Sequence, residues 1–208
     1  RMKISLARAK TIFSLAVLMA IFSTLSAFGQ TPEEFSIDRP PLPPPTSPVM
    51  DYAGVMDASA KAALEKRVID FKAAAGVELG VAVVRTTGER PIFDYSLAVA
   101  RGWGIGSKED DNPGALLMVA IDDRKYFTQI SRNLEDELPD GLAGSLQRQF
   151  LVPEFKKGNY AKGIADTIDA YIRTIEARRS GISTPTPTPS AGKRTGPFGT
   201  NGYSWFCC

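Results

Sequence analysis

Residues 115–132 read ALLMVAIDDRKYFTQISR. The run from Leu116 to Ile121 is entirely apolar, the pattern of a strand buried on both faces of a sheet. From Tyr126 to Ser131 the residues alternate more, which fits an antiparallel neighbour. Between them lies a tight charged turn, Asp122-Asp123-Arg124-Lys125. Two carboxylates and two cations therefore fall where a buried strand ends. In open α/β sheets, ligands collect at that edge. A solvated turn with no further role is the competing reading.

Outward from this hairpin, the spacing of apolar residues predicts four helices and one more strand. Asp57 is placed to cap a helix over 58–75, with Leu64, Val68, Phe71 and Ala75 on one face and Gly76 ending it. Residues 78–86 read as a strand with Val81, Val83 and Val84 in the core. Helices follow over 93–101, 142–151 and 160–177, the last with Ile164, Ile168, Tyr171 and Ile175 at helical spacing. This order predicts an α/β domain over 49–179, a single three-layer αβα sandwich with a small mixed sheet. A crossover through the second helix would make its first two strands parallel.

The flanks differ in composition. Residues 1–29 carry Arg1, Lys3, Arg8 and Lys10 and no acid, followed by an apolar run from Ile12 to Phe22 broken only by Ser14. Ala27-Phe28-Gly29 then offers small residues for cleavage, so the segment reads as a secretory signal peptide and the chain as exported, to the periplasm or the outer face of a membrane. An uncleaved anchor is the alternative, disfavoured because a span needs about 20 apolar residues. Residues 30–48 are Pro-rich and read as an extended linker holding the domain off. Residues 180–208 form a Thr/Pro- and Gly-rich tail, disordered by composition, ending in Tyr203-Ser204-Trp205-Phe206. That aromatic end reads either as a natural tail or as the start of a membrane anchor lying beyond a fragment that begins with Arg1.

Charge and chemistry narrow the function. Of 25 Lys and Arg, four lie in residues 1–29, leaving 21 against 23 carboxylates. No basic stripe points to nucleic acid. The chain has no His, and its two cysteines, Cys207 and Cys208, sit at the end. That excludes His-based triads, Cys–His nucleophiles and His-ligated zinc. Any catalysis would rest on carboxylates, Lys, Tyr, Ser, Thr or a bound metal.

Six motifs in order carry a resemblance: Asp51-Tyr52-Ala53-Gly54; Trp103-Gly104-Ile105-Gly106; Asn112-Pro113-Gly114 with the strand after it; Asp123-Arg124-Lys125; Leu134-Glu135 with Asp140; and Pro153-Glu-Phe155-Lys-Lys-Gly158-Asn-Tyr160-Ala-Lys-Gly163. Over about residues 49–175 the chain resembles the TPM domain family of thylakoid and bacterial envelope proteins. It departs from the pattern at Ser131-Arg132-Asn133, where the family often has glycines. The resemblance implies an αβα sandwich. It also implies two functional readings, since some plant members are described as calcium-bound acid phosphatases linked to photosystem repair. An animal member is an accessory receptor subunit, and the common thread is service to membrane proteins.

Two hypotheses follow. In the first, the chain is a cell-envelope binding module that assists assembly, repair or maintenance of membrane proteins or their complexes, with divalent-cation binding as an accessory feature. In the second, it is a metal-dependent acid phosphatase. There, Asp51, Asp123 and Glu135 would hold a calcium or magnesium ion (Ca2+ or Mg2+) through oxygen ligands, and Arg124 would steady a phosphate. Catalytic candidates are Asp123 and Arg124, and neither reading needs an organic cofactor. The plainer roles are loop anchoring for Asp51, an ion pair with Glu135 or Asp51 for Arg124, and a solvated helix entrance for Asp136, Glu137 and Asp140. Glu109, Asp110 and Asp111 suit an exposed loop. Lys156, Lys157 and Lys162 suit a solvated helix edge or contact with anionic headgroups.

Overall fold

A computed structural model describes residues 40–106 and 112–181, together with the backbone of residues 203–204. The proposed signal peptide, residues 30–39, the Glu109–Asp111 loop and most of the tail lie outside the described residues.

Helix α1 (Ala58–Ala75) forms as its caps predict. The Asp57 carboxylate accepts the Ala60 N–H at 2.8 Å. At the other end Gly76 takes a left-handed φ of 66°, which only glycine adopts freely, and closes the helix on the Lys72 carbonyl. Leu64, Val68 and Phe71 are its buried face. Strand β2 (Glu78–Val84) runs parallel to β3 (Gly114–Ala120), with Val81 opposite Leu117. Helix α2 (Ile92–Gly102) connects them. Strand β4 (Lys125–Ile130) returns antiparallel to β3.

A three-residue strand, β1 (Val49–Asp51), pairs parallel with β2. It is too short for an alternating pattern to announce it, and Asp51 is its last residue. The order β1-β2-β3-β4, with the two-residue β5 (Tyr203–Ser204) paired outside β4, makes a mixed open sheet.

The pleat sorts the core into two faces. Val81, Val83, Leu117 and Val119 pack with α1 and with helix α5 (Tyr160–Arg179). Ala82, Val84, Leu116, Met118 and Ala120 pack with Ile92, Tyr95 and Val99 of α2. All seven residues of β3 are buried. Helices on both faces make this the expected three-layer αβα sandwich.

The helix expected over 142–151 is part of a longer run. Helix α3 (Asp140–Leu146) passes through a wide π turn (Gln147–Leu151) into α4 (Val152–Lys156). Pro153 accounts for the wide turn. Its ring crowds the preceding turn and it lacks an N–H, so the ladder shifts one residue and Val152 donates to Gln147 instead. Gln147 is thereby turned inward and is 2% exposed. Its Nε2 donates to Thr128 Oγ1 at 2.7 Å, and that hydroxyl lies 2.9 Å from the Tyr171 hydroxyl. Burial pushes the Tyr171 hydroxyl pKa well above its ordinary value.

Residues 40–48 correct the expectation of a spacer over that stretch. They run along the domain, where Trp103 Nε1 donates to the Pro43 carbonyl at 2.9 Å and Leu42 joins the α2-side core. A Cβ at Gly102 would sit 2.3 Å from Pro40, so the strap passes as close as glycine permits. Trp103 thus packs against the strap.

The buried polar trio gives a stability prediction. Thr128→Val leaves the Tyr171 hydroxyl and Gln147 amide buried without their shared partner. Urea unfolding should show a loss of about 2 kcal/mol. Thr128→Ser keeps the hydroxyl and should lose about 1 kcal/mol or less. Equal losses would show that the hydroxyl contributes nothing.

Candidate functional site

Three loops leave the carboxyl ends of β1, β2 and β3 side by side. The parallel pairing runs on into them: Tyr52 N–H donates to the Val83 carbonyl at 2.8 Å, and Asp122 N–H to the Arg85 carbonyl at 2.8 Å. Asp51, Thr86-Thr87 and Asp122-Asp123 therefore share one edge of the sheet.

Asp51 uses its carboxylate on its own loop. Oδ1 accepts the N–H groups of Ala53 (3.1 Å) and Gly54 (2.8 Å), and Oδ2 accepts that of Met56 (2.8 Å). This is the loop-anchoring role weighed from sequence.

Asp123 reaches across to the loop after β2. Oδ1 accepts from the Thr86 hydroxyl at 2.7 Å, and Oδ2 from the Thr87 N–H at 2.8 Å. The Thr87 hydroxyl lies 3.1 Å from Oδ2 and 2.9 Å from the Arg90 carbonyl, so its single proton serves one or the other. Partial burial acts to raise the Asp123 pKa. The Thr87 N–H, the two hydroxyls and the Lys125 charge outweigh it and hold the pKa below the ordinary value. Asp123 is thus a latch between two loops. Its neighbour Asp122, in the same turn, is exposed.

Arg124 ends the turn with a φ of 54°, the one left-handed non-glycine among the described residues. For a side chain with a Cβ this costs on the order of 1 kcal/mol. Its N–H closes on the Ile121 carbonyl at 3.2 Å, and its residue surface is exposed. Elsewhere at this edge, Tyr95 lies near both Arg90 and Tyr52. Tyr52 is 39% exposed. Tyr95 is buried, which raises its hydroxyl pKa, with the Arg90 charge opposing that shift. The polar run Thr86-Thr87-Gly88 directly after a strand was the available signal for the Asp123 partners.

Glu135 is elsewhere. In the antiparallel register Ile130 pairs with Ala115, at the amino end of β3. Glu135 follows the short 3₁₀ turn Arg132–Leu134 beyond that point, at the opposite edge from Asp51 and Asp123. It neighbours Asp140, whose pKa is raised first by burial and then by the Glu135 charge. The set Asp51, Asp123 and Glu135 is therefore not assembled. Among the described residues, no group of three or more His, Cys, Asp or Glu is placed to hold a metal ion. The carboxylates of Asp51 and Asp123 already accept hydrogen bonds that shape their loops, and an ion there would have to share oxygens with those bonds.

Other expectations shift as well. Glu137 is no solvated entrance residue: Oε1 pairs with Arg179 Nε at 3.1 Å, and Oε2 is buried without a hydrogen-bond partner. Lys157 and Lys162 pair with Glu154 and Asp166, which blunts the basic patch. Ser131, at the departure from the family glycines, accepts the Gly114 N–H through Oγ at 2.9 Å.

A mixed sheet between two helical layers, with its loops gathered at the carboxyl edge, defines a small three-layer α/β domain. The chain belongs to the TPM domain family, whose model, TPM_phosphatase, matches residues 49–174. Among solved structures, the N-terminal domain of a P. gingivalis protein is 29% identical, with a TM-score of 0.60 over 64% of this chain and 84% of its own. The BA42 protein of Bizionia argentinensis is 21% identical, with a TM-score of 0.49 over 62% of this chain and 86% of its own. No curated protein matches.

The latch role of Asp123 sets a pH prediction. A depressed pKa means its stabilisation is complete above the unfolded carboxylate pKa, about 4. It is lost as pH falls through the lower folded value. Asp123→Asn should be less stable than the unaltered protein at pH 7, by about 1–2 kcal/mol. The gap should close as pH drops below about 4. Thermal melts of both proteins from pH 7 to pH 2.5 test this. A gap independent of pH would rule out the charged latch.

Proposed function

We propose that this protein is an exported binding module of the cell envelope that attends membrane proteins or their complexes. Its carboxyl-edge loops form the recognition surface. One observation carries the reading: Asp51 and Asp123 are committed to holding those loops. That commitment suits a shaped, rigid edge better than a ready hydrolytic centre. Of the residues turned outward there, Tyr52 and Arg124 are of kinds enriched at protein interfaces. Arg124 holds a costly backbone conformation at this edge, and such strain tends to persist at functional sites.

A second reading is a divalent-cation-dependent acid phosphatase. The shared edge of Asp51 and Asp123, with Arg90 and Arg124 nearby, and the name of the family model favour it. In it, a calcium or magnesium ion would polarise the phosphate and Arg124 would balance its charge.

Arg124→Gly separates recognition from folding. Glycine accepts the left-handed turn, so relief of about 1 kcal/mol of backbone strain offsets what is lost with the side chain, and the variant should stay folded with a melting temperature close to that of the unaltered protein. Crosslinking of the exported chain in intact cells should recover membrane proteins, and the variant should recover several-fold less. Equal recovery would remove Arg124 from the surface, and recovery of no membrane protein would sink the first reading. Calorimetric titration of calcium into the metal-stripped chain addresses the second reading. It requires binding that Asp123→Asn abolishes, and no heat of binding would end it.

A further inference from the structure

Strand β4 is the last full strand of the sheet, and such an edge presents N–H and C=O groups that can template another strand. Its sequence, Lys125-Tyr-Phe-Thr-Gln-Ile130, has no proline and a single charge, so it carries few of the features that discourage pairing. Two observations show how this edge is used. The backbone of a two-residue strand, β5 (Tyr203–Ser204), pairs antiparallel with it, Ser204 opposite Lys125 and Tyr203 opposite Tyr126. Beside the next residues, Phe127 and Thr128, lies a cleft of about 60 Å³ whose other wall is α3. Gly141, Ala143 and Gly144 line that wall, and small residues leave room for a backbone to approach.

The covalent connection permits this pairing within one chain. Helix α5 ends beyond the far end of β4, where Arg178 donates to the Asp136 carbonyl. Residues 182–202 join it to Tyr203. At about 3.4 Å per residue they can span up to about 70 Å, whereas the six residues of β4 cover only about 20 Å. Tethering at such length gives the tail a high local concentration at the edge.

We infer that the outer edge of β4 is a strand-docking surface, occupied in this protein by its own C-terminal segment around Tyr203–Ser204. Docking is through main-chain hydrogen bonds, as in β-strand addition. Only two residues pair, so the contact is short and exchangeable. The paired stretch begins at Lys125, the residue after Asp123 and Arg124. The inference does not depend on what the carboxyl-edge loops bind.

Cys207 and Cys208 are the only cysteines, which makes the test direct. A nitroxide is attached to Cys207 in the Cys208→Ser chain, and amide signals are followed by NMR. Signals of residues 123–127 should lose at least several-fold in intensity, while those of α1 stay unchanged. A Tyr203→Pro, Ser204→Pro double variant, which removes both tail N–H donors, should restore them. A mixture of spin-labelled unenriched chain and unlabelled isotope-enriched chain distinguishes the source. Full signals in that mixture support docking within one chain, whereas attenuation there would assign the edge to a second copy. Unaltered signals in the labelled chain, or attenuation that survives the proline variant, would overturn the inference.

Discussion

The structure depends on a strand with no polar face. Each residue from Gly114 to Ala120 is buried, so β3 needs apolar cover above and below at once. A single helical layer would leave Leu116 and Met118, or Leu117 and Val119, in water. At about 25 cal/mol per Å² of apolar surface, neither loss is small. Helices on both faces follow, and parallel pairing with β2 follows from the helical crossover between the strands. The tight packing extends to the strand's first residue. A Cβ on Gly114 would lie 2.9 Å from the Gly106 nitrogen and 3.2 Å from the Glu78 carbonyl oxygen.

That same requirement creates the candidate site. Once β1, β2 and β3 are parallel, their following loops emerge at one edge, and each must satisfy backbone groups that no longer have ladder partners. Asp51 meets three such N–H groups, and Asp123 meets one along with the Thr86 hydroxyl. These carboxylates are structural because of where the strands end. An acidic residue at a strand end is ambiguous from sequence for this reason: the geometry that offers a ligand site also exposes loop N–H groups that attract the same carboxylate.

Much of this was legible in the chain. The caps Asp57 and Gly76 fixed α1, and the apolar run before Asp122 fixed β3, because each is a local signal. What escaped depended on contacts between distant residues. Strand β1 has three residues and exists by pairing with β2. The π turn answers to Pro153 within a helix that propensity alone would simply break. The prolines of residues 40–48 read as a spacer because composition describes stiffness and is silent on docking. Trp103 and Gly102, some 60 positions away in the chain for the Trp103–Pro43 bond, decide where that strap lies.

Glu135 shows most clearly how topology overrides proximity in sequence. It stands only twelve positions after Asp123, and a reader of the sequence can place both in one cluster. Between them, however, β4 carries the chain antiparallel along the whole sheet, about 20 Å for six residues. A carboxylate after an antiparallel last strand must emerge at the amino edge, whatever its local pattern. A parallel last strand would have delivered the same carboxylate to the edge that holds Asp51 and Asp123. The direction of one hairpin therefore decides which edge of the sheet receives Glu135.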